Sequence, residues 1–454
     1  MADAEEAQLL DTAAQVAERA RSAGADVAEV LARTSRDLSV KVRLGAPELV
    51  EEAGSSAVGL RVVREGRSAT TSTSDLSPDG LSRLIEDALE MAELAEPDPI
   101  SDLPDPADRV VDPPSLDLYD PSLETFDGAE ARALALEAED AARGLDPRIT
   151  NSNGATVSRT VGTMALATGD GFAQAYRNSY LSLVVQPLAD DADGKKRVGF
   201  HWDARRHREA LASPADVGQE AARRTLAKLG ADKIPTCELP VVFSPDAGRA
   251  LLALLCSCVG GAAVYKRQSY LADLEAEPIA DERVHIVDDA LLPRGPASRP
   301  FDGEGLPSRR TEVVSGGVLK TFLLDTYSAR KLSRASTGSA SRGVGSRPSP
   351  GATNFHLLPG DADPESMVKE LERGLYVTSM MGFGFNAVTG DFSRGAEGFL
   401  IENGEKTQPV GEITISLGFT DLWRRIDALG DDLDPKTGLA TPTFRVSRMT
   451  VAGT

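Results

Sequence analysis

Two cysteines one residue apart, Cys256 and Cys258 in the stretch LLCSCVGGAAV, are the residues whose type and spacing most directly suggest chemistry. A pair of thiols can bind a metal ion or form a redox disulfide. Ser244 and Pro245, just upstream, predict the N-cap and first turn of a helix. Each helical residue turns by about 100°, so residues two apart point to nearly opposite sides. The pattern therefore favours two small buried side chains over a metal or redox site.

The stretch FDGEG is a second candidate, because it places the carboxylates of Asp302 and Glu304 between glycines. Two neighbouring carboxylates can carry out general acid–base catalysis. Acids in glycine-rich turns also cap backbone N–H groups, and this structural role is the favoured interpretation.

Other motifs point to no catalytic centre. The histidines show no i, i+4 pair of the kind found on zinc-binding helices; they are His201, His207, His285 and His356. The glycine-rich stretch 336–351 lacks the spacing of a phosphate-binding loop and is predicted to be a mobile loop.

The composition of the chain limits its expected cellular location and its expected classes of binding partner. The chain has 454 residues, three cysteines and a formal net charge of −21. Three cysteines cannot form a disulfide framework, so reduced thiols in the cytoplasm are expected. The acidic N-terminal stretch lacks the features of a signal peptide, and no apolar run is long enough to span a membrane. An acidic chain without a basic stripe is not expected to bind nucleic acid.

The hydrophobic patterning predicts an α+β protein that positions these residues in three domains. A small helix–strand–helix domain is expected over residues 1–95, with strands at 27–33, 38–44, 57–63 and 67–73. A Pro- and Asp-rich linker follows at 96–126, then a central α+β domain at 127–234. A glycine-rich, mainly β domain is expected over 235–454.

Four stretches of the C-terminal half resemble, in order, the TldD/PmbA family, and in particular its PmbA (TldE) branch. They are VYKRQSYL, FDGEGLPSRRTEVVSGGVLKTFLLDTYSARKL, STGSASRG and ERGLYVTSMMGFGFNAVTGDFSRGAEGFLIENGEKTQPVGEITI. The N-terminal helix followed by GADVAEV, and the Pro-rich linker, fit the same family. The resemblance therefore covers nearly the whole chain.

The resemblance implies a pair of subunits. TldD-type subunits are zinc peptidases with an HExxxH helix and a later cysteine ligand, and PmbA-type subunits pair with them and lack that site. Together they trim leader peptides and degrade some unfolded polypeptides; "modulator of DNA gyrase" is an older label. On this sequence the HExxxH positions fall at Cys256, Ser257 and Gly261, so no zinc is expected in this chain and zinc is expected in the partner.

The resemblance also implies a peptide-channel or structural role for residues of the glycine-rich motifs. They are Asp302, Glu304, Asn386, Gly390 and Asp391. Two other functions stay open. One is a self-sufficient hydrolase that uses Cys256 or the FDGEG carboxylates, and the other is a peptide-binding or scaffold protein without a link to proteolysis.

Overall fold

One antiparallel sheet extends through the first half of the chain. The computed structural model describes residues 2–192 and 194–453. The strands are β1 (Val27–Arg43), β2 (Ala46–Arg64), β3 (Arg67–Thr73), β4 (Ile149–Thr168), β5 (Ala173–Asp190), β6 (Lys196–Val198) and β7 (His201–Arg205). Their order is β3-β2-β1-β4-β5-β6, and β7 also pairs with β5. Because β1 pairs with β4, the N-terminal and central domains predicted from the sequence share a single sheet.

Helices cover one face of this sheet. They are α1 (Ala2–Ser22), α2 (Pro78–Leu94), α3 (Gly128–Gly144) and α4 (Pro214–Leu226). Apolar side chains alternate along the strands, so one core forms under α1 and α2 and a second under α3 and α4. The N-caps Ser77 and Asp127 fix where α2 and α3 begin, and Asp127 forms a capping box with Glu130.

The predicted linker lies against the second half of the chain. It contains the 3₁₀ turns Pro106–Asp108 and Pro121–Glu124, and a third 3₁₀ turn, Arg208–Ala210, follows β7. The guanidinium of Arg330 donates hydrogen bonds to the carbonyl oxygens of Ile100, Asp102 and Leu103 at 2.5–3.0 Å. The segment is therefore a strap fastened to the C-terminal half.

The C-terminal half is mainly β structure. Its strands are β8 (Cys237–Phe243), β9 (Ile286–Asp289), β10 (Arg310–Ser315), β11 (Val318–Leu319), β12 (Ala340–Ser341), β13 (Ser349–Pro350), β14 (Phe355–Leu357), β15 (Arg373–Met381), β16 (Asp391–Glu402), β17 (Glu405–Gly418), β18 (Ile426–Leu429), β19 (Leu439–Ala440) and β20 (Phe444–Ala452). Its helices are α5 (Pro245–Val259), α6 (Gly261–Tyr265), α7 (Thr326–Lys331), α8 (Pro364–Lys369) and α9 (Phe419–Arg424). The predicted α+β class is confirmed.

Helix α5 lies inside the C-terminal half. A six-stranded sheet runs β17-β16-β15-β8-β20-β18, and an additional pairing of β17 with β20 closes it on itself. A five-stranded sheet runs β11-β10-β9-β14-β19. Helix α5 contacts strands of both sheets, namely β8, β14, β15 and β19.

The second half packs on the face of the first sheet that the helices leave uncovered. Leu31 and Leu166 point to that face and form a small core with Phe301. Beside it, the buried carboxylate of Glu29 on β1 faces the guanidiniums of Arg61, at 2.6 Å, and Arg342, at 3.4 Å. Residues 301–342 therefore hold the two halves together. No helix in residues 2–192 and 194–453 is long and apolar enough to cross a membrane.

Candidate functional site

The candidate site is built around the end of α5. Ser244 caps this helix, and Pro245 opens it, as the sequence predicts. The helix stops at Gly260, whose backbone is extended (φ −70°, ψ 130°), and α6 begins at the next residue. Gly261 N donates to Leu323 O at 2.8 Å, and Leu323 N donates to Val259 O at 2.9 Å. The break therefore inserts a short strand-like contact between two helical segments.

A cleft of about 340 Å³ opens beside this break, and we call it the α6 cleft. It is lined by Cys256, Ser257, Gly260, Ala262, Ala263, Lys266, Gln268, Leu323, Pro350, Gly351 and Ala352. Ser257 is exposed and Cys256 is half-buried, whereas Cys258 is fully buried. The prediction of a buried side chain thus holds for Cys258. Cys256 faces the cleft, because helical residues two apart point to nearly opposite sides.

The two thiols are poor nucleophiles and poor ligands. Burial raises the pKa of Cys256 to about 12 and also raises the pKa of Cys258. The reactive and metal-binding form of cysteine is the thiolate, which these environments disfavour near neutral pH. Both side chains are free thiols in the structure.

Gly261 has no room for a side chain. A Cβ atom there would lie 2.4 Å from Ser328 Oγ and 2.6 Å from Leu324 Cδ2. Ser328 is held in place because its backbone N–H and its hydroxyl donate to the carboxylate of Asp325. The space that a histidine would need at this position is therefore filled by α7 and the residues before it.

The residues of this site do not fit a zinc ion. Ser257 cannot act as a general base in the way that a glutamate can, and Gly261 has no ligand atom. Among residues 2–192 and 194–453, no group of three His, Cys, Asp or Glu side chains converges as a metal site requires.

The FDGEG carboxylates cap backbone groups, as the turn interpretation predicts. Asp302 accepts hydrogen bonds from the N–H groups of Glu304, Leu306 and Ala340 at 2.9–3.0 Å. Glu304 accepts from both the N–H and the hydroxyl of Thr326. Both acids are at most 4% exposed. They tie the turn to strand β12 and to the start of α7.

Glu304 also lines a small cavity that adjoins the α6 cleft. This cavity has a volume of about 120 Å³ and shares Ala262, Lys266 and Pro350 with the cleft. Burial, and secondarily the Asp302 carboxylate, raise the pKa of Glu304 to about 8. Burial raises the pKa of Asp325, which lines the same cavity. The cleft therefore continues into a pocket that contains two carboxyl groups whose pKa values are raised.

The remaining predicted residues form a separate loop between β15 and β16. The side-chain oxygen of Asn386 accepts from Val388 N at 2.9 Å, and the Asp391 carboxylate accepts from the Thr389 hydroxyl at 2.6 Å. Gly390 has a φ of 76°, which favours glycine. None of the three predicted residues, Asn386, Gly390 and Asp391, lines the α6 cleft or the adjoining cavity.

Sequence reasoning missed part of the wall of the cleft. The stretch 336–351, predicted to be a mobile loop, contains the paired strands β12 and β13, and residues 350–352 line the cleft. Between the strands, Arg342 is buried against Glu29. A local composition rich in Gly, Ser and Pro carries no signal for this long-range ion pair. Asp325 was also missed, although an acid before a helix is a typical N-cap.

Models of three domains of one family match the chain in order. A PmbA/TldA metallopeptidase domain 1 matches residues 28–92, the central domain matches 121–229, and the C-terminal domain matches 236–453.

Individual proteins of known name or structure also resemble this chain over nearly its full length. The chain is 34% identical over 446 residues to the metalloprotease PmbA of Escherichia coli O157:H7, covering 98% of this chain and 96% of that protein. A Bacteroides thetaiotaomicron crystal structure, described as a candidate modulator of DNA gyrase, is 26% identical with a TM-score of 0.91 and covers 98% of both chains. TldE from Thermococcus kodakarensis shares the fold, with a TM-score of 0.87 at 22% identity and coverage of 97% of this chain and 99% of that one.

Proposed function

This chain belongs to the PmbA/TldD metallopeptidase family, and we propose that it acts there as a non-catalytic subunit paired with a TldD-like partner. The observation that carries the proposal is the filled site at Gly261. A position that must carry a ligand in a zinc peptidase is instead packed against Ser328 and Leu324. We expect the zinc ion in the partner, and both subunits in the cytoplasm.

The role of this subunit is to hold an extended peptide in the α6 cleft. Strand β13 pairs with β12 in a two-stranded sheet; Pro350 lines both the cleft and its adjoining cavity, and Ser349 lines the cavity. Backbone groups at a strand edge bind an extended peptide largely irrespective of its side chains. Such binding suits substrates that share an unfolded conformation rather than a sequence, such as leader peptides and unfolded chains.

The two other functions have less support. A hydrolase based on Cys256 would need a thiolate that burial disfavours. A hydrolase based on Asp302 and Glu304 would need carboxylates that reach substrate, whereas at least one oxygen of each accepts hydrogen bonds from backbone N–H groups. The third possibility, a scaffold without a link to proteolysis, is distinguished from our proposal by the co-expression experiment described next.

Co-expression tests the pairing. This chain is produced with a tag together with a TldD-like protein that carries HExxxH, and the purified complex is assayed on an unstructured peptide with and without a chelator. We expect co-purification, cleavage that the chelator abolishes, and no cleavage by this chain alone with added zinc. A partner that fails to co-purify, or that is fully active alone, contradicts the proposal.

A substitution in the cleft tests the role of this subunit. Ala262 lines both the α6 cleft and the adjoining cavity, so Ala262→Trp should obstruct the peptide. The complex should form normally and lose most of its activity. Ala133→Trp, on the exposed side of α3, is the matched control and should leave activity unchanged. Equal activity of the two variants would exclude this cleft as the peptide site.

A further inference from the structure

A second cleft lies at the opposite end of α5, and we call it the Trp202 cleft. It has a volume of about 440 Å³ and shares no lining residue with the α6 cleft. Its walls come from β7 and α4 on one side, and from the start of α5, β15 and the segment 432–441 on the other. At a rise of 1.5 Å per residue, its end of α5 lies roughly 20 Å from Gly260. This volume is in the range of small-molecule sites.

Aromatic rings form part of the lining of this cleft. Trp202, Tyr376 and Phe399 line it and are each half-buried, so each ring has one part packed and another facing open space. Rings that are held in this way offer flat apolar surfaces for a planar ligand.

Two cations in the lining lack a charged partner. The Arg249 guanidinium lies 5.4 Å from the centre of the Trp202 ring, and the Lys406 ammonium lies 3.5 Å from the centre of the Tyr376 ring. Neither side chain forms a hydrogen bond or ion pair with a residue that the structure describes.

The other charged groups of the lining are already occupied. Arg224 donates to Glu220 and to Asp246, at 2.9 Å in both cases. Lys436 lies 3.5 Å from Asp434. One acid, Asp432, forms no ion pair with another described residue, and its carboxylate accepts hydrogen bonds from the N–H and hydroxyl of Thr443. Two cations and one acid in the lining therefore have no ion pair among the described residues, which leaves a net unpaired charge of +1 in the cleft.

We propose that the Trp202 cleft binds a small aromatic carboxylate. The ring of the ligand packs against Trp202 and Tyr376, and its carboxylate pairs with the guanidinium of Arg249. Arginine suits this role because its planar fork of donors matches a carboxylate and stays charged at all relevant pH values. Such a ligand is either a free aromatic acid or the last residue of a peptide with a free C-terminus. The proposal does not depend on the partner subunit.

Tryptophan fluorescence provides a direct readout in the isolated chain. The sequence has two tryptophans, and Trp423 is buried in the core with 1% exposure. The probe is N-acetyl-L-phenylalanine, which does not absorb at the 295 nm used to excite tryptophan. N-acetyl-L-phenylalaninamide tests the need for the carboxylate, and N-acetyl-L-alanine tests the need for the ring. The peptide Ala-Ala-Ala-Phe, with a free C-terminus, separates the two sources of the ligand.

We expect a saturable change with N-acetyl-L-phenylalanine, and binding at least roughly tenfold weaker for the amide and for the alanine compound. Arg249→Gln should weaken binding by a similar factor, whereas Arg249→Lys should retain part of it. Arg132→Gln, an exposed arginine on α3, is the matched control and should bind as the parent does. Tighter binding of the tetrapeptide would identify a peptide C-terminus as the ligand, and tighter binding of the free acid would identify a small molecule.

Several outcomes would overturn the proposal. They are no saturable change up to about 10 mM, equal binding of the acid and its amide, or unchanged binding by a folded Arg249→Gln variant. A signal that persists in Trp202→Phe would place the ligand near Trp423 instead. Thermal unfolding of each variant confirms that the protein under test is folded.

Discussion

A single added methyl group at Gly261 should destabilise the C-terminal half. In Gly261→Ala the new Cβ would lie 2.4 Å from Ser328 Oγ and 2.6 Å from Leu324 Cδ2. Non-bonded contacts to carbon are normally about 3.5–4.0 Å. Both neighbours are at most 1% exposed, and Ser328 is also held by hydrogen bonds to Asp325. Overpacking of a rigid core typically costs 1–3 kcal/mol, so we expect a loss of about 2 kcal/mol.

The adjacent glycine is the matched control for this prediction. At Gly260 the nearest atom to an added Cβ is 3.9 Å away, and the φ of −70° suits any residue. Gly260→Ala should therefore unfold as the parent does. A loss of about 2 kcal/mol would lower the melting temperature of a domain of this size by roughly 4–8 °C, measured by calorimetry and by urea unfolding. Equal unfolding of the two variants would refute the packing argument at Gly261.

Three further predictions concern titratable groups that are buried or half-buried. Glu304→Gln keeps an acceptor for Thr326. The free energy of unfolding of this variant, relative to that of the parent, should grow as pH rises from about 4.5 to 8, because the unfolded parent releases the Glu304 proton at a lower pH than the folded parent does. Urea unfolding should show that the advantage of the variant over the parent in free energy of unfolding is larger at pH 8.5 than at pH 5, by on the order of 2–4 kcal/mol. An advantage that is equal at the two pH values would contradict the raised pKa of Glu304. Cys258→Ala should cost about 1 kcal/mol and leave the activity of the paired complex intact. Cys256 should react with iodoacetamide at pH 8 much more slowly than an unfolded control, and rapid labelling seen by mass spectrometry would contradict its raised pKa.

Local signals predicted much of the secondary structure. The N-caps before α2 and α5 are read directly from Ser-Pro pairs, because capping depends on neighbouring residues only. The strands predicted at 27–33 and 38–44 are instead one strand, β1. The polar residues between them interrupt the alternation, but Asp37 accepts hydrogen bonds from Ser35 and from Thr160 on β4. A partner more than 120 residues away therefore completes a strand that the local pattern divides.

The candidate site was predictable in position but not in its packing. Its place on the chain follows from the cysteines and glycines of one short stretch. The atoms that fill it come from Leu324 and Ser328, more than 60 residues later, and no local pattern encodes that proximity. The same holds for Glu29 and Arg342, which lie in different halves of the chain and meet only when the halves pack. The sequence shows which side chains are absent from this stretch, whereas only the folded structure shows which side chains occupy the space around Gly261.

The break between α5 and α6 shapes the α6 cleft. A continuous helix through Gly260 would remove the hydrogen bonds that join Val259 and Gly261 to Leu323. It would also rotate Ala262 and Lys266, which line both the α6 cleft and its neighbouring cavity. Extended backbone between helices forgoes helical hydrogen bonds, and here the contacts with Leu323 replace some of them. The break therefore helps to fix the shape of the cleft, in a chain whose Gly261 position has no room for a side chain. A fixed cleft without metal-ligating side chains is what the proposed subunit needs to hold a peptide for chemistry carried out by its partner.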